Sequence, residues 1–444
     1  MQQFNIHIEG YPRLKDLQLW ALQLGLVLLW ALLSESSFAS DSDEFAIALE
    51  SDNEIPVTRF HSDGDRILWL PSEFGFRGVR ELTLADGLAV HGFDVWLANL
   101  HEAYFLPPGR NSLRDIPIDD VAELIQRSQP ESGRLFLMST GRGAALSLMA
   151  VRRWQQLFSD RKPLGGLFLF HPNLMAKAPT PGSDPQYLPV ADLTNQPILL
   201  LQPADSSKRW YLDELLEHLR NGGANVFTRV MRDVSDGFHL RPNASEKELE
   251  QSSGLPQILA SAAPLLAGSN PAIKAPSVKT DTLQQKEWDA SAFSGKLQPF
   301  KGNPTPPELA LTDLKHEQYR LDGYRGNVVL LNFWATWCPP CVKEIPSLGR
   351  LKKKMQGRNV AVLSVDVGES IQRVEAFLKK IPADFPVLLD PEGSTVQEWK
   401  IRAFPTTFLI DQGGMIRYAY FGGLEWDSPE VIELIEQMLN ETPE

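Results

Sequence analysis

The chain has 444 residues and only two cysteines, Cys338 and Cys341, with Pro339 and Pro340 between them. Two thiols at this spacing suit one kind of chemistry. A thiolate at the first position attacks a disulfide, and the second thiol resolves the mixed disulfide that results. Asn327-Val328-Val329-Leu330-Leu331-Asn332-Phe333 reads as a buried strand, and the residues after Cys341 read as a helix. Cys338 then falls at a helix N-terminus, where unpaired N–H groups and the dipole lower a thiol's pKa. The two prolines remove backbone donors and stiffen the turn. A pair so close in sequence closes no structural framework, so a staple is a poor alternative. A structural zinc ion takes about four ligands; there is no other cysteine, and His316 is the only histidine beyond residue 305. No metal and no cofactor is expected.

The residues that must position this pair lie on both sides of it. Leu321-Asp322-Gly323-Tyr324-Arg325-Gly326 precedes the strand, and Phe333-Trp334-Ala335-Thr336-Trp337-Cys338-Pro339-Pro340-Cys341 carries the thiols. Glu344-Ile345-Pro346 follows on the helix, and Ala403-Phe404-Pro405-Thr406-Thr407 enters a later strand. Together these segments resemble the TlpA/ResA-like branch of the thioredoxin superfamily. The resemblance implies a thioredoxin-like fold and a thiol-disulfide oxidoreductase. It implies a cis peptide before Pro405, which would face the pair and lend neighbouring backbone to an extended substrate. Asn332 stands where thioredoxins carry a buried acid, and the resemblance gives proton handling to Glu344. A buried carboxyl has a raised pKa and exchanges a proton near neutrality; a solvated glutamate in the first turns of a helix is the plainer reading. The expected catalytic set is Cys338, Cys341, Glu344 and Pro405. By the same resemblance the partners are exported proteins with disulfides and a DsbD-type membrane electron donor. The resemblance implies the reductive direction, in tasks such as cytochrome c maturation, while the same residues serve either direction.

Export is also readable at the N-terminus. Arg13 and Lys15 precede a run from Leu17 to Leu33 that is apolar apart from two glutamines, and Ser37-Phe38-Ala39 offers small residues to a signal peptidase. Residues 1–39 are expected to be a signal peptide or an uncleaved membrane anchor, since the run is only slightly short of the roughly 20 residues that span a bilayer. The body of the protein would then lie in the periplasm or an equivalent space. A net charge of −13 argues against nucleic acid as a partner.

Residues 45–267 read as a separate α/β domain. The apolar runs at 66–70, 93–98, 135–138, 167–170, 198–201 and 226–230 are spaced for intervening helices, the pattern of a parallel sheet covered on both faces. Residues 268–304 lose that pattern and hold prolines without an apolar face, so a linker is expected. Residues 305–444 form the second domain. In the first, Leu135-Phe136-Leu137-Met138 runs into Ser139-Thr140-Gly141-Arg142-Gly143-Ala144-Ala145 and a helix. This layout resembles the nucleophile elbow of α/β-hydrolases. Gly141 takes the nucleophile's place, and Asp205 and His239 follow in acid-then-histidine order. Ser139 lies two residues early for a displaced nucleophile, and the Pro71–Gly75 segment would edge an oxyanion hole. Three readings stay open: a non-catalytic binding domain, an active hydrolase making the protein bifunctional, and shared α/β architecture alone.

Overall fold

The computed structural model describes residues 41–158, 162–177, 181–269, 272, 274–275 and 297–441. The expected export segment and residues 276–296 of the expected linker lie outside them. Among the described residues no helix is long and apolar enough to cross a membrane.

The first domain is built on a sheet of β1 (Ser42–Ala48), β2 (Glu54–Phe60), β3 (Arg66–Trp69), β4 (Asp94–Ala98), β5 (Leu135–Thr140), β6 (Gly166–Phe170), β7 (Ile198–Asp205) and β8 (Val226–Ser235). Their spatial order is β1-β2-β4-β3-β5-β6-β7-β8. From β4 to β8 every neighbouring pair is parallel. The continuous apolar runs explain this: β4, β5 and β6 are buried along their whole length, because helices close both faces. Helices Val79–Val90 and Leu255–Gly268 pack on one side, and Ile118–Arg127, Gly143–Leu157 and Leu212–Asn221 on the other. The hairpin β1–β2 departs from the expected parallel sheet and joins β4 antiparallel. Its outer strand is mostly solvent-exposed, so no continuous apolar run marks it.

The second sheet holds β9 (Gln298–Pro299), β10 (Ala310–Asp313), β11 (Gln318–Arg320), β12 (Val328–Trp334), β13 (Val360–Val367), β14 (Val387–Asp390), β15 (Thr406–Ile410) and β16 (Ile416–Phe421), ordered β11-β10-β14-β13-β12-β15-β16-β9. Central β12 is parallel to β13 and antiparallel to β15, and β15 pairs antiparallel with β16 across the Gly413-Gly414 turn. β9 lies inside the span read as linker. Its backbone pairs with the edge of β16, and Phe300 packs against Phe408 at 5.8 Å, so this short stretch belongs to the second domain.

The two domains are in contact. Tyr211 is buried in the second domain's core, its hydroxyl 2.9 and 2.8 Å from the carbonyl oxygens of Val396 and Ile401. The Arg402 guanidinium covers its ring at 3.5 Å and pairs with Glu214 at 3.1 Å. Trp210 lies on Gly368 and Gly393, where a Cβ would come within 2.5 and 2.2 Å of its ring. Lys400 pairs with Asp184 at 2.8 Å. Nothing in the sequence pattern pointed to this docking, because its anchors are single residues scattered between β6 and the helix that follows β7.

Candidate active site

β12 delivers the chain to Cys338, which caps the N-terminus of helix Pro339–Lys354. Pro339 occupies the first helical position, where a missing N–H costs nothing. Cys338 and Cys341 form a disulfide with their Cα atoms 5.3 Å apart, and the Cys341 N–H points at the Cys338 sulfur at 3.4 Å. In the reduced pair this N–H and the helix dipole favour a thiolate on Cys338. Cys338 is only 3% exposed and Cys341 fully buried.

Glu344 lies one turn further along, 2% exposed. It accepts hydrogen bonds from Asn332 Nδ2 at 2.8 Å, Trp426 Nε1 at 2.9 Å and the Leu424 N–H at 3.3 Å. Burial outweighs these donors and pushes its carboxyl up to about 7. Asn332 also donates to Thr407 Oγ1 at 2.8 Å, tying β12 to the strand that starts after Pro405. The Phe404–Pro405 peptide is cis, and Phe404 packs edge-on against Trp337 at 5.7 Å. Of the four expected residues, Cys338, Cys341 and Glu344 thus sit on one helix and its cap, and Pro405 directly precedes β15, which Asn332 ties to Glu344.

Sequence reading missed a second acidic group beside the motif. Glu369, buried, receives the N–H of Thr336 and its hydroxyl, the latter at 2.6 Å, two residues before Cys338. Arg373 holds Glu369 at 2.6 Å and reaches across to Asp205 of the first domain at 2.8 Å. Asp366, fully enclosed nearby, has its carboxyl pushed well up by burial and then by the Glu369 charge. The only prior signal was the Gly368-Glu369-Ser370 helix start after a strand, which names no partner.

In the first domain Gly141 has φ 59, a conformation that favours glycine. A Cβ there would lie 2.8 Å from Glu73 Oε2. The same oxygen accepts the Arg142 N–H at 3.0 Å. The loop expected to edge an oxyanion hole therefore fills that position with its own carboxylate. His239 stands 3.1 Å from Thr140 Oγ1 and stacks on Phe170, and burial holds its pKa well down. Asp205 does not meet it, because both its oxygens are taken by Arg373 at 3.2 and 2.8 Å. Ser139 is fully buried with its hydroxyl accepting from Ser147 at 3.0 Å, away from the pocket. The residues aligned in sequence are not assembled into a catalytic triad.

A dithiol motif at a helix N-terminus, a buried acid one turn on and a cis proline beside them define a thioredoxin-like redox centre. The sequence matches the AhpC/TSA family over residues 303–419. It is 39% identical over 118 residues to the thiol-disulfide oxidoreductase ResA of Geobacillus kaustophilus, covering 27% of this chain and 68% of the relative. The Bacillus subtilis ResA is 35% identical over 126 residues, covering 28% and 70%. Among solved structures, StoA of Bacillus subtilis aligns with 27% identity over 30% of this chain and 97% of its own, with a TM-score of 0.26. Through its C-terminal third the chain belongs to the ResA family, and it is a thiol-disulfide oxidoreductase.

Proposed function

We propose that the protein works outside the cytoplasm as a reductase of disulfides in exported proteins, and that its first domain is an α/β-hydrolase-type scaffold kept for binding. The reduced Cys338 thiolate attacks one sulfur of the substrate disulfide, and the departing substrate sulfur leaves as a thiolate. Cys341 then attacks Cys338, forming the intramolecular disulfide and releasing the second substrate thiolate; two electrons pass to the substrate. Glu344, buried against the helix that carries both thiols, holds a proton near neutral pH and supplies or accepts it as thiol and thiolate interconvert. A DsbD-type membrane dithiol would return the pair to its reduced form, with residues 1–39 as signal or tether. The observation that carries the reading is the Cys338–Cys341 pair at the helix start with Glu344 buried behind it. Support for the scaffold is the strand order with an elbow after β5, an acid at the end of β7 and a histidine after β8. The Glu73 carboxylate at Gly141 favours a binding role over hydrolysis. The test is the redox state of the pair in cells: mostly reduced with the membrane donor intact, oxidised without it. A pair oxidised in both would reverse the assigned direction.

A further inference from the structure

The first domain roofs the face through which a partner must reach Cys338. Trp337, Pro339 and Phe404 of the redox half line one cavity of about 150 Å³ together with Asp205, Asp236 and Arg241 of the first domain. Asp236 and Arg241 also line a second cavity of about 250 Å³ that runs to Glu73 and Gly141. Asp236 and Arg241 thus form a wall with the redox motif on one side and the elbow on the other. The docking of Tyr211, Trp210 and Asp205 onto the second domain holds the first domain over this face. A folded partner buries about 800 Å² on its own side of a stable interface, and here the surface around Trp337, Pro339 and Phe404 is already partly taken up by the first domain. Spaces of about 150 and 250 Å³ admit a few residues of chain and not a folded surface.

This wall also keeps polar atoms in reserve. His171, 7% exposed, accepts the Gly237 N–H on Nε2 at 2.9 Å, so its neutral ring carries the proton on Nδ1. That proton faces Asp236 Oδ1 at 4.0 Å, beyond hydrogen-bond range. Arg241 Nε is likewise buried without an acceptor. Buried polar atoms left unpaired in a pocket wall point to a ligand that brings both donors and acceptors, as a peptide backbone does.

We infer that the substrate presents its disulfide on an extended, unfolded segment threaded between the domains, with the disulfide over Cys338 and flanking backbone on the Asp236–Arg241 wall. The inference rests on the thiol-disulfide reading above, and the exchange keeps its balance: one dithiol oxidised, one disulfide reduced. The experiment uses the reduced full-length protein and three oxidants: an unstructured peptide with one disulfide, a folded protein with a surface disulfide, and hydroxyethyl disulfide. The peptide should react about tenfold faster than the folded protein, and His171→Gln or Asp236→Asn should lower the peptide rate about tenfold relative to hydroxyethyl disulfide, the worth of one lost hydrogen bond. Arg402→Ala, which loosens the roof, should narrow the gap between peptide and folded protein. Equal rates for peptide and folded protein in the wild type, or a peptide rate unmoved by both wall variants, would overturn the inference. No reaction even with hydroxyethyl disulfide would overturn the redox reading itself.

Discussion

At the scale of single residues, Glu344 makes the sharpest claim. Its carboxyl titrates at about 7 in the fold against an ordinary 4.5. The native state therefore holds more protons than the unfolded chain between those values, and stability falls as pH rises through that window. Glu344→Gln should abolish this slope, worth about 3 kcal/mol across the window, in denaturant titrations of the oxidised protein from pH 4.5 to 8. The same variant should flatten or shift the pH profile of Cys338 alkylation; superimposable profiles would make Glu344 a structural residue only. The roles of the two sulfurs are separable too. Cys341→Ser should accumulate mixed disulfides on Cys338, whereas Cys338→Ser should trap little, as read on non-reducing gels. Spacing alone exposed both cysteines, and Glu344 and Pro405 were legible because their short motifs stand close to family patterns. Glu369, Arg373 and Asp205 were not, because nothing local in a sequence tells which distant charges will share one buried cluster.

At the scale of elements, strands buried on both faces announced themselves as apolar runs, which is why β3 to β7 could be read. The hairpin β1–β2 and the short β9 could not, since each is stabilised by the edge it joins rather than by its own pattern. The elbow between β5 and its helix was legible as a motif, but the Glu73 carboxylate that occupies it comes from another loop. Gly141→Ser should consequently give no esterase activity and no labelling by a fluorophosphonate probe: the new side chain meets Glu73 and must adopt an unfavourable backbone. Labelling of the wild type that Ser139→Ala abolishes would instead revive an active hydrolase. Serine at 141 alone collides with Glu73, and removing Glu73 alone uncovers the Arg142 N–H with nothing to attack, so neither single substitution should create acyl chemistry.

At the scale of the whole molecule, the sequence revealed two α/β units but not how they meet. Docking depends on Tyr211, whose hydroxyl proton is shared by two buried carbonyls. Tyr211→Phe should weaken the interface by about 1–3 kcal/mol, and a melt that is one transition in the wild type should begin to separate into two in calorimetry. A single unchanged transition would show that the domains unfold together for other reasons. The 3% exposure of Cys338 has a kinetic corollary. One nearly buried sulfur must serve both half-reactions, so the dithiol that recharges the pair and the disulfide that discharges it compete for the same point of attack. They cannot be bound together. Turnover should therefore be strictly alternating, with parallel lines in double-reciprocal plots and each partner, in excess, inhibiting the other.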